Sequence, residues 1–320
     1  MQPAAPFRLD LTVWALRRRP HNEVDHWDTS GGYGRVLPIN GRPLLLTATQ
    51  DGGPIAPRLS VVVAGGAVDA RDGASARRAL HTLLGLGVDL SAFAVMADAD
   101  PIIGPLAERM RGLKPPRFPT VFEALVNGVA CQQLSLTVGI HLLNRLTASH
   151  GRAASDDPGA ARAFPDPAAL AALEPEELKR HGFSATKART IIETARAIAT
   201  GDLDLEALHR FDDVAAVERL TRLRGIGRWT AEYVLLRGLG RLHVFPGDDV
   251  GARNQLKRVL EIETPLGYED VRRLVSRWHP FAGIVYFHLL LDSLTRSENG
   301  PQVVGPAIDA GKSSSQGNAV

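Results

Sequence analysis

The amino-acid sequence predicts an α+β fold, in which a mixed α/β segment comes first and a mainly α-helical segment follows. Short apolar and β-branched runs separated by turn residues fill the first hundred positions, as in small sheets. Beyond residue 119, apolar residues recur at helical spacing up to residue 295. A proline-rich stretch at residues 114–119 separates the two patterns, and 320 residues are enough for two domains.

The domain boundaries follow from these changes of pattern. We predict an N-terminal α/β domain at residues 1–112 and a helical domain at residues 113–295. Residues 296–320 are polar, rich in glycine and serine, and without periodicity, so we predict a disordered tail there.

In the first segment, alternation at residues 7–14 indicates a strand, and the runs 42–50 and 57–64 indicate two more around a turn at 51–54. The three valines at 61–63 are interpreted as part of a buried strand, and residues 74–86 have helical spacing. Aromatic residues and cations are mixed between positions 14 and 35, which can serve to stack on nucleic acid, but ordinary packing at a sheet edge is the preferred interpretation. The residues in that mixture are Trp14, Arg17, Arg18, Arg19, Trp27, Tyr33 and Arg35.

The helical segment opens with a cap signal. Thr120 precedes an apolar run and is followed three residues later by Glu123, the pattern of a capping box. Residues 153–166 are rich in Ala, Asp, Gly and Pro and are predicted to form a loop. The predicted helices are 121–147, 168–180, 187–200, 214–223, 228–239, 249–260, 268–278 and 281–295.

Charge is distributed unevenly in a chain whose net charge is only +2. Between residues 222 and 258, cations outnumber the acids Glu232, Asp248 and Asp249, which is the local basic footprint expected of a nucleic-acid contact. The cations of this stretch are Arg222, Arg224, Arg228, Arg237, Arg241, Arg253, Lys257 and Arg258.

The single cysteine narrows the possible classes of protein. Cys131 alone excludes an intramolecular disulfide framework, a cysteine-rich zinc site and a cysteine-ligated iron–sulfur cluster, and its apolar surroundings predict a buried core residue. The sequence shows neither a signal-peptide pattern nor an apolar run of the ~20 residues that span a bilayer, so we expect a soluble, cytoplasmic protein without a membrane partner.

The most informative stretch, residues 220–231, has the form of a tight hairpin between two helices. Gly225 and Gly227 flank Ile226, and glycine permits a left-handed backbone and close approach to the amide groups. The N–H groups that start the following helix, near Arg228, Trp229 and Thr230, carry its positive end and suit a phosphate group.

Two adjacent aspartates follow the Pro-Gly pair at residues 246–247 and a strand-like stretch at 242–245. Asp248 or Asp249 is expected to cap the next helix, since aspartate is among the best N-cap residues. With two aspartates, one can cap while the other projects into a cleft. A carboxylate in a cleft can stabilise a cation that develops during a reaction.

These residues carry a resemblance to a known family. Residues 220–255 resemble the helix-hairpin-helix/Gly-Pro-Asp superfamily of base-excision DNA glycosylases, and within it the DNA-3-methyladenine glycosylase II family of alkylation repair. Residues 129–135, 182–188 and 277–281 resemble three further motifs of that family, so that the resemblance covers roughly residues 119–291. It implies a helix-hairpin-helix at 220–233 in the helical glycosylase domain and a TATA-binding-protein-like N-terminal α/β domain.

The resemblance also implies roles for individual residues. Asp249 matches the catalytic aspartate, which stabilises an oxocarbenium ion or activates water, and Asp248 matches its acidic neighbour. Gln133 matches the wedge that fills the gap left by a flipped base. The implied pocket residues are Trp229, Tyr233, Asp248 and Leu290. The implied DNA contacts are Gly225, Gly227, Arg228 and Thr230. Main-chain carbonyls at Thr221, Leu223 and Ile226 match a site for a structural monovalent cation, Na⁺ or K⁺.

The implied activity is that of a monofunctional DNA glycosylase, a hydrolase of base-excision repair that flips alkylated purines out of duplex DNA. Trp229 stands where lyase members carry a Schiff-base lysine, and tryptophan cannot form an imine, so an abasic site would be the product. The expected partner is double-stranded DNA with alkylated bases, bound by a monomer associated with the nucleoid. No catalytic cofactor and no iron–sulfur cluster is expected.

Three alternatives stay open from the sequence. The first is a non-catalytic helix-hairpin-helix DNA-binding module, and the second is a glycosylase/lyase for oxidised bases such as 8-oxoguanine. The third is a metal-dependent hydrolase, although no ligand spacing supports it. Its candidate ligands would be His243, Asp248, Asp249, His279 and His288.

Overall fold

The computed structural model describes residues 1–296, so all but the first residue of the tail predicted at 296–320 lies outside the described residues. The N-terminal part combines a small sheet with four helices. These elements are α1 (Leu9–Arg17), β1 (His26–Trp27), β2 (Gly32–Ile39), β3 (Arg42–Asp51), β4 (Arg58–Ala64), α2 (Ala70–Leu83), α3 (Ser91–Ala99) and α4 (Gly104–Arg109).

The remainder of the described chain is helical, which confirms the predicted α+β class. Its helices are α5 (Val121–Cys131), α6 (Leu136–His150), α7 (Pro167–Ala171), α8 (Pro175–Arg180), α9 (Ala185–Ala199), α10 (Asp213–Thr221), α11 (Arg228–Arg237), α12 (Val250–Val259), α13 (Tyr268–Val275) and α14 (Ala282–Thr295). Short 3₁₀ helices form at Glu206–Arg210 and Ser276–Trp278. No helix within residues 1–296 is both long enough and apolar enough to cross a membrane.

The strands form an antiparallel sheet in the order β1-β2-β3-β4, with Val36 opposite Leu45 and Ala48 opposite Val61. The prediction of a buried strand at residues 61–63 was wrong in its burial, because β4 lies at the edge of the sheet and Val62 is 64% exposed. One face of this antiparallel sheet packs against the core and the other meets solvent, so Val62 is exposed while Val61 and Val63 are partly buried.

The strand predicted at residues 7–14 was also wrong, because these residues belong mostly to α1. Most side chains of α1 are buried, on several sides of the helix, so its sequence shows no continuous polar stripe from which a helical period could be read. Residues 242–245, interpreted as strand-like, form no strand: 242–243 are in a turn and 244–245 are irregular.

The cap predicted at Thr120 is confirmed, since its hydroxyl accepts the N–H of Glu123, but the capping box is not completed, because the carboxylate of Glu123 pairs with Arg35. The long helix predicted from residue 121 to 147 is two helices, α5 and α6, separated at residues 132–135 where Gln133 adopts a left-handed φ of 52°. The break brings Gln133 to the surface of the protein.

Two buried apolar clusters hold residues 1–296 together, and both combine side chains from before and after the proline-rich stretch. One includes Phe7, Leu46 and Phe122, and the other includes Leu11 and Phe287. Buried ion pairs also connect the two sides of the proline-rich stretch. Arg35 of β2 bonds Asp25, which precedes β1, and Glu123, which belongs to α5. The domain division at residue 112 stays a prediction.

Candidate active site

The hairpin between α10 and α11 has the geometry that its glycines predict. Gly225 adopts a left-handed φ of 78°, and a Cβ placed on it would lie 2.2 Å from the hydroxyl oxygen of Thr190 on α9. Gly227 is the N-cap of α11, and a Cβ placed there meets no atom within 4 Å. The start of α11 therefore faces open space with its positive end, as an anion site requires.

Asp249 occupies the N-cap of α12. Its Oδ1 atom accepts the N–H of Ala252 at 2.8 Å, which satisfies one of the free amide groups at the start of the helix. Its Oδ2 atom accepts hydrogen bonds from the indole Nε1 of Trp229 at 3.3 Å and from the hydroxyl of Tyr286 at 3.0 Å. One carboxylate thus caps the helix with one oxygen and faces an aromatic cavity with the other.

Asp248 has a different environment. Its carboxylate bonds Arg228 at 2.8 Å and also Arg253, so it is committed to two ion pairs. The two roles expected of the two aspartates, capping the helix and facing the cavity, are therefore both performed by Asp249. Asp248 instead joins the start of α11 to the start of α12.

Behind these residues, Glu232 of α11 fixes the Pro-Gly turn. Its carboxylate accepts the N–H of Gly247 at 3.0 Å and the hydroxyl of Tyr268. Burial raises the pKa of Glu232, and burial beside this carboxylate raises the pKa of Tyr268 to about 12. The guanidinium of Arg228 lies over the ring of Tyr268, 3.4 Å from the ring centroid.

A cavity of about 860 Å³ opens between the hairpin, α12 and α14. Trp229 and Tyr233 form one wall, with ring centroids 5.6 Å apart, and Leu290 forms part of another. Asp248 also lines the cavity, so the four predicted pocket residues are brought together. Burial and the charge of Asp249 raise the pKa of Tyr286, so its hydroxyl keeps its proton and donates to the carboxylate. The cavity is large enough for a purine base.

Three arginines that were not predicted at the site also line this cavity. Arg18 follows α1 with φ 61° and donates to the hydroxyl of Tyr233 at 2.9 Å and to the side-chain oxygen of Asn127 at 2.7 Å. Arg19 follows it, and the fully buried Arg237 contacts the ring of Phe118 at 5.1 Å. For Arg18 and Arg19 the available signal was the mixture of aromatics and cations between residues 14 and 35, and for Arg237 it was the basic stretch at residues 222–258.

Tyr286 was missed as well, although a local signal existed. It precedes Leu290 by four residues on α14, and residues four apart share one face of a helix. If residue 290 lines the pocket, residue 286 is therefore expected to face the pocket as well.

The opposite rim of the cavity is formed by the break between α5 and α6. Gln133 lies at its exposed tip, as a wedge requires. Cys131 was predicted to be a core residue, and this was wrong: it is partly exposed and lines the cavity, because α5 ends there.

Thr230 is buried, and its hydroxyl accepts a hydrogen bond from Gln132 at 2.9 Å, so its predicted phosphate contact rests on the main-chain N–H. Thr221 is the last residue of α10, and Leu223 and Ile226 lie in the turn that follows it. Among residues 1–296, no three His, Cys, Asp or Glu side chains are grouped so as to hold a metal ion. The metal-hydrolase alternative therefore lacks a ligand set in that range.

Comparison with known proteins agrees with this geometry. Residues 126–280 match the family described as HhH-GPD superfamily base excision DNA repair protein. A DNA-3-methyladenine glycosylase of Bacillus subtilis (strain 168) is 31% identical over 210 residues, which cover 66% of this chain and 69% of that protein. DNA-3-methyladenine glycosylase 2 of Escherichia coli (strain K12) is 30% identical over 187 residues, covering 58% of this chain and 63% of that protein.

A solved structure extends the match to nearly the whole molecule. The 3-methyladenine DNA-glycosylase from Archaeoglobus fulgidus superposes with a TM-score of 0.80 at 26% identity, covering 93% of this chain and 99% of that one. The chain therefore belongs to the HhH-GPD superfamily of base excision DNA repair proteins. The resemblance that the hairpin and the aspartate indicated in the sequence is confirmed.

Proposed function

We propose that this protein is a monofunctional DNA glycosylase that excises alkylated purines, such as 3-methyladenine and 7-methylguanine, from duplex DNA. The observation that carries the proposal is the Oδ2 atom of Asp249, which faces a purine-sized cavity between Trp229 and Tyr286. Relatives named as 3-methyladenine glycosylases support this substrate class.

The chemistry follows from the position of that carboxylate. Breaking the N-glycosidic bond leaves its electron pair with the base and positive charge on the sugar, as in other glycoside hydrolysis. Asp249 stabilises this charge, and water then adds its oxygen to C1′ and gives up a proton, leaving an abasic site. Trp229 and Tyr286 hold the oxygen in place before the reaction starts.

Base selection rests on the aromatic wall. Purines methylated at N3 or N7 carry positive charge and are good leaving groups, and they stack favourably on electron-rich rings. Trp229 and Tyr233 offer such a surface. The cost of unstacking is lower for damaged pairs, which adds to the selection.

DNA is held by the hairpin on one side of the cavity and by the wedge on the other. The amide groups at Gly225 and Gly227, with Arg228 nearby, contact the phosphate beside the lesion without reading sequence. Gln133 enters the duplex in place of the extruded base. A monomer is sufficient, because one chain contains every part of this site.

A monovalent cation fits the hairpin and completes the proposal. Thr221 is the last residue of α10, so its carbonyl belongs to the group that lacks partners within the helix and carries the negative end of the dipole. With the carbonyls of Leu223 and Ile226, it would hold Na⁺ or K⁺, whose charge would strengthen the phosphate contact.

The lyase alternative would need a lysine in the cavity. Of the described residues that line it, none is a lysine, and the hairpin position carries Trp229. A binding-only module would not need a carboxylate with two aromatic donors. These observations favour hydrolysis without a covalent enzyme–DNA intermediate.

The test is release of free base from methylated duplex DNA by wild type and by Asp249→Asn. Asparagine keeps the helix cap but removes the negative charge. We expect wild type to release 3-methyladenine and 7-methylguanine, and the variant to bind lesion DNA without releasing base. Asp166→Asn is the matched control, since Asp166 caps α7 through the same 2.8 Å bond and lies outside the cavity. Unchanged turnover in Asp249→Asn would refute the assignment.

A further inference from the structure

The segment 182–188 resembles a family motif but takes no part in the site described so far. Its lysine, Lys187, lies in the first turn of α9 and is 8% exposed. Its ammonium donates to the carbonyl of Ala130 at 3.0 Å and to the carbonyl of Gln132 at 2.7 Å. Within the described chain Lys187 forms no ion pair, so these two carbonyls are the partners that justify burying a cation.

Both carbonyls belong to the end of α5. The last carbonyls of a helix have no partner within it, and they carry the negative end of its dipole. Lys187 satisfies two of these groups at once and thereby fixes where α5 stops. The residues that follow, 132–135, form the exposed tip that carries Gln133, and we call them the wedge loop.

The side chain of Gln132 fixes the same loop from the other side. Its Nε2 donates to the carbonyl of Gly225 at 3.0 Å and to the hydroxyl of Thr230 at 2.9 Å. These acceptors lie before and after Gly227, so one amide group spans the hairpin turn. The wedge loop and the hairpin are therefore hydrogen-bonded to each other directly.

Gln133 needs such support. Its φ of 52° is left-handed, which costs a residue with a Cβ roughly 1–2 kcal/mol. Its own side chain lies at the exposed tip, so the conformation must be imposed by neighbours. The neighbour is Gln132, whose carbonyl is bound by Lys187 and whose amide is bound to the hairpin.

We propose that Lys187 and Gln132 are positioning residues that join the wedge loop and the hairpin into one unit, so that phosphate binding at the hairpin sets the position at which Gln133 enters the duplex. This inference rests on the proposed function. It assigns the motif at 182–188 to base extrusion; Lys187 is not among the residues that line the cavity, and the bonds described for the two residues go to the wedge loop and the hairpin and not to Asp249.

The two residues should then matter only where a base must be displaced from its partner. The experiment compares two duplexes in single-turnover assays. In one, 7-methylguanine is paired with cytosine, and in the other it lies opposite an abasic analogue that offers no partner. We expect Lys187→Met and Gln132→Met to slow excision about tenfold or more on the paired duplex and much less on the unpaired one. This is the scale of a lost hydrogen bond from a charged group for Lys187, and of two lost neutral hydrogen bonds for Gln132.

Lys179→Met is the matched control, because Lys179 is an exposed lysine of α8 whose ammonium pairs with Glu176. A purely structural role for Lys187 would instead reduce excision equally on both duplexes, and that outcome would overturn the proposal. If Lys187→Met does not fold, Gln132→Met alone provides the same comparison.

A double-mutant cycle gives a second readout. If Lys187 acts through the wedge, combining Lys187→Met with Gln133→Ala should be no slower than the slower single variant, whereas independent effects would multiply. Multiplied losses would contradict the proposal.

A failure of the proposed function would be recognised separately, because wild type would then release base from neither duplex. In that case, 2-aminopurine placed beside an abasic analogue reports wedge insertion without any chemistry. Wild type should raise its fluorescence more than Lys187→Met does, and equal fluorescence would overturn the positioning role.

Discussion

The hydroxyl group of Tyr286 donates a hydrogen bond of 3.0 Å to the Oδ2 atom of Asp249, the oxygen that faces the cavity. The two residues are 37 positions apart and belong to α14 and α12. The other oxygen of the carboxylate is bound to the amide of Ala252. Both oxygens are thus held before any substrate enters, which is the arrangement by which a fixed charge lowers a barrier.

Removing this bond should slow the chemistry. We predict that Tyr286→Phe lowers the single-turnover excision rate about tenfold while lesion-DNA affinity changes little, because the carboxylate loses one of its orienting donors. Tyr33→Phe is the control, since the Tyr33 hydroxyl also bonds a carboxylate, that of Asp25 at 2.7 Å, but lies in the sheet. A Tyr286→Phe rate equal to that of wild type would show that the hydroxyl does not orient Asp249.

The ring of Trp229 can be separated from its N–H group with two substitutions. Trp229→Phe and Trp229→Leu both lose the bond to Asp249, but only phenylalanine keeps an aromatic face. We predict that Trp229→Leu excises cationic 7-methylguanine about tenfold more slowly than Trp229→Phe, on the scale of a cation–π contact. Equal rates for the two variants would mean that position 229 contributes packing alone.

Stability should depend on the buried ion pair that crosses residue 112. Arg35 is fully buried, and Glu123→Ala would leave its guanidinium with Asp25 alone. We predict that this change lowers the free energy of unfolding by about 3–5 kcal/mol in urea denaturation. Glu108→Ala is the exposed counterpart, as Glu108 pairs with Arg111 at the surface, and should cost at most about 1 kcal/mol. Similar losses of unfolding free energy in the two variants would contradict the prediction that burial makes the Arg35–Glu123 pair matter more for stability.

The pH dependence of stability should contain a signature of His288. Burial lowers the pKa of His288 to about 4, whereas an unfolded histidine titrates near 6.5. Between these values the unfolded chain binds a proton that the folded chain does not. The histidine therefore contributes stability above pH ~6.5, and that stability is lost as the pH falls towards 4, by about 3 kcal/mol in total.

The measurement is the free energy of unfolding at several pH values for wild type and for His288→Leu. The difference in free energy of unfolding between wild type and His288→Leu should change between pH ~4 and pH ~6.5 and be constant at higher pH. A difference that is independent of pH would show that His288 is not held neutral by the fold.

Local features of the site could be predicted from the sequence because they depend on neighbours along the chain. The glycine turn at Gly225, the start of α11 at Arg228 and the cap at Asp249 each need only a few consecutive residues. Local rules of backbone conformation and capping are sufficient for such features.

The rest of the cavity depends on contacts between distant parts of the chain. Arg18 meets Tyr233 across 215 positions, and no spacing rule connects them. The helix α1 that presents Arg18 was itself misread, because burial on several sides removes the polar stripe that identifies a helix. The dual role of Asp249 was missed for a related reason, since its second oxygen is engaged by α14.

The contact between α1 and α14 has a consequence for protein synthesis. Leu11 and Ala15 of α1 are buried in the same cluster as Val285 and Leu289 of α14, at opposite ends of the described chain. A chain emerging from the ribosome makes α1 first and must leave that apolar surface uncovered until α14 follows. Because α14 also supplies Tyr286, a chain interrupted before this helix lacks both the cover for α1 and one donor to Asp249. The catalytic centre is therefore complete only after α14 has been synthesised.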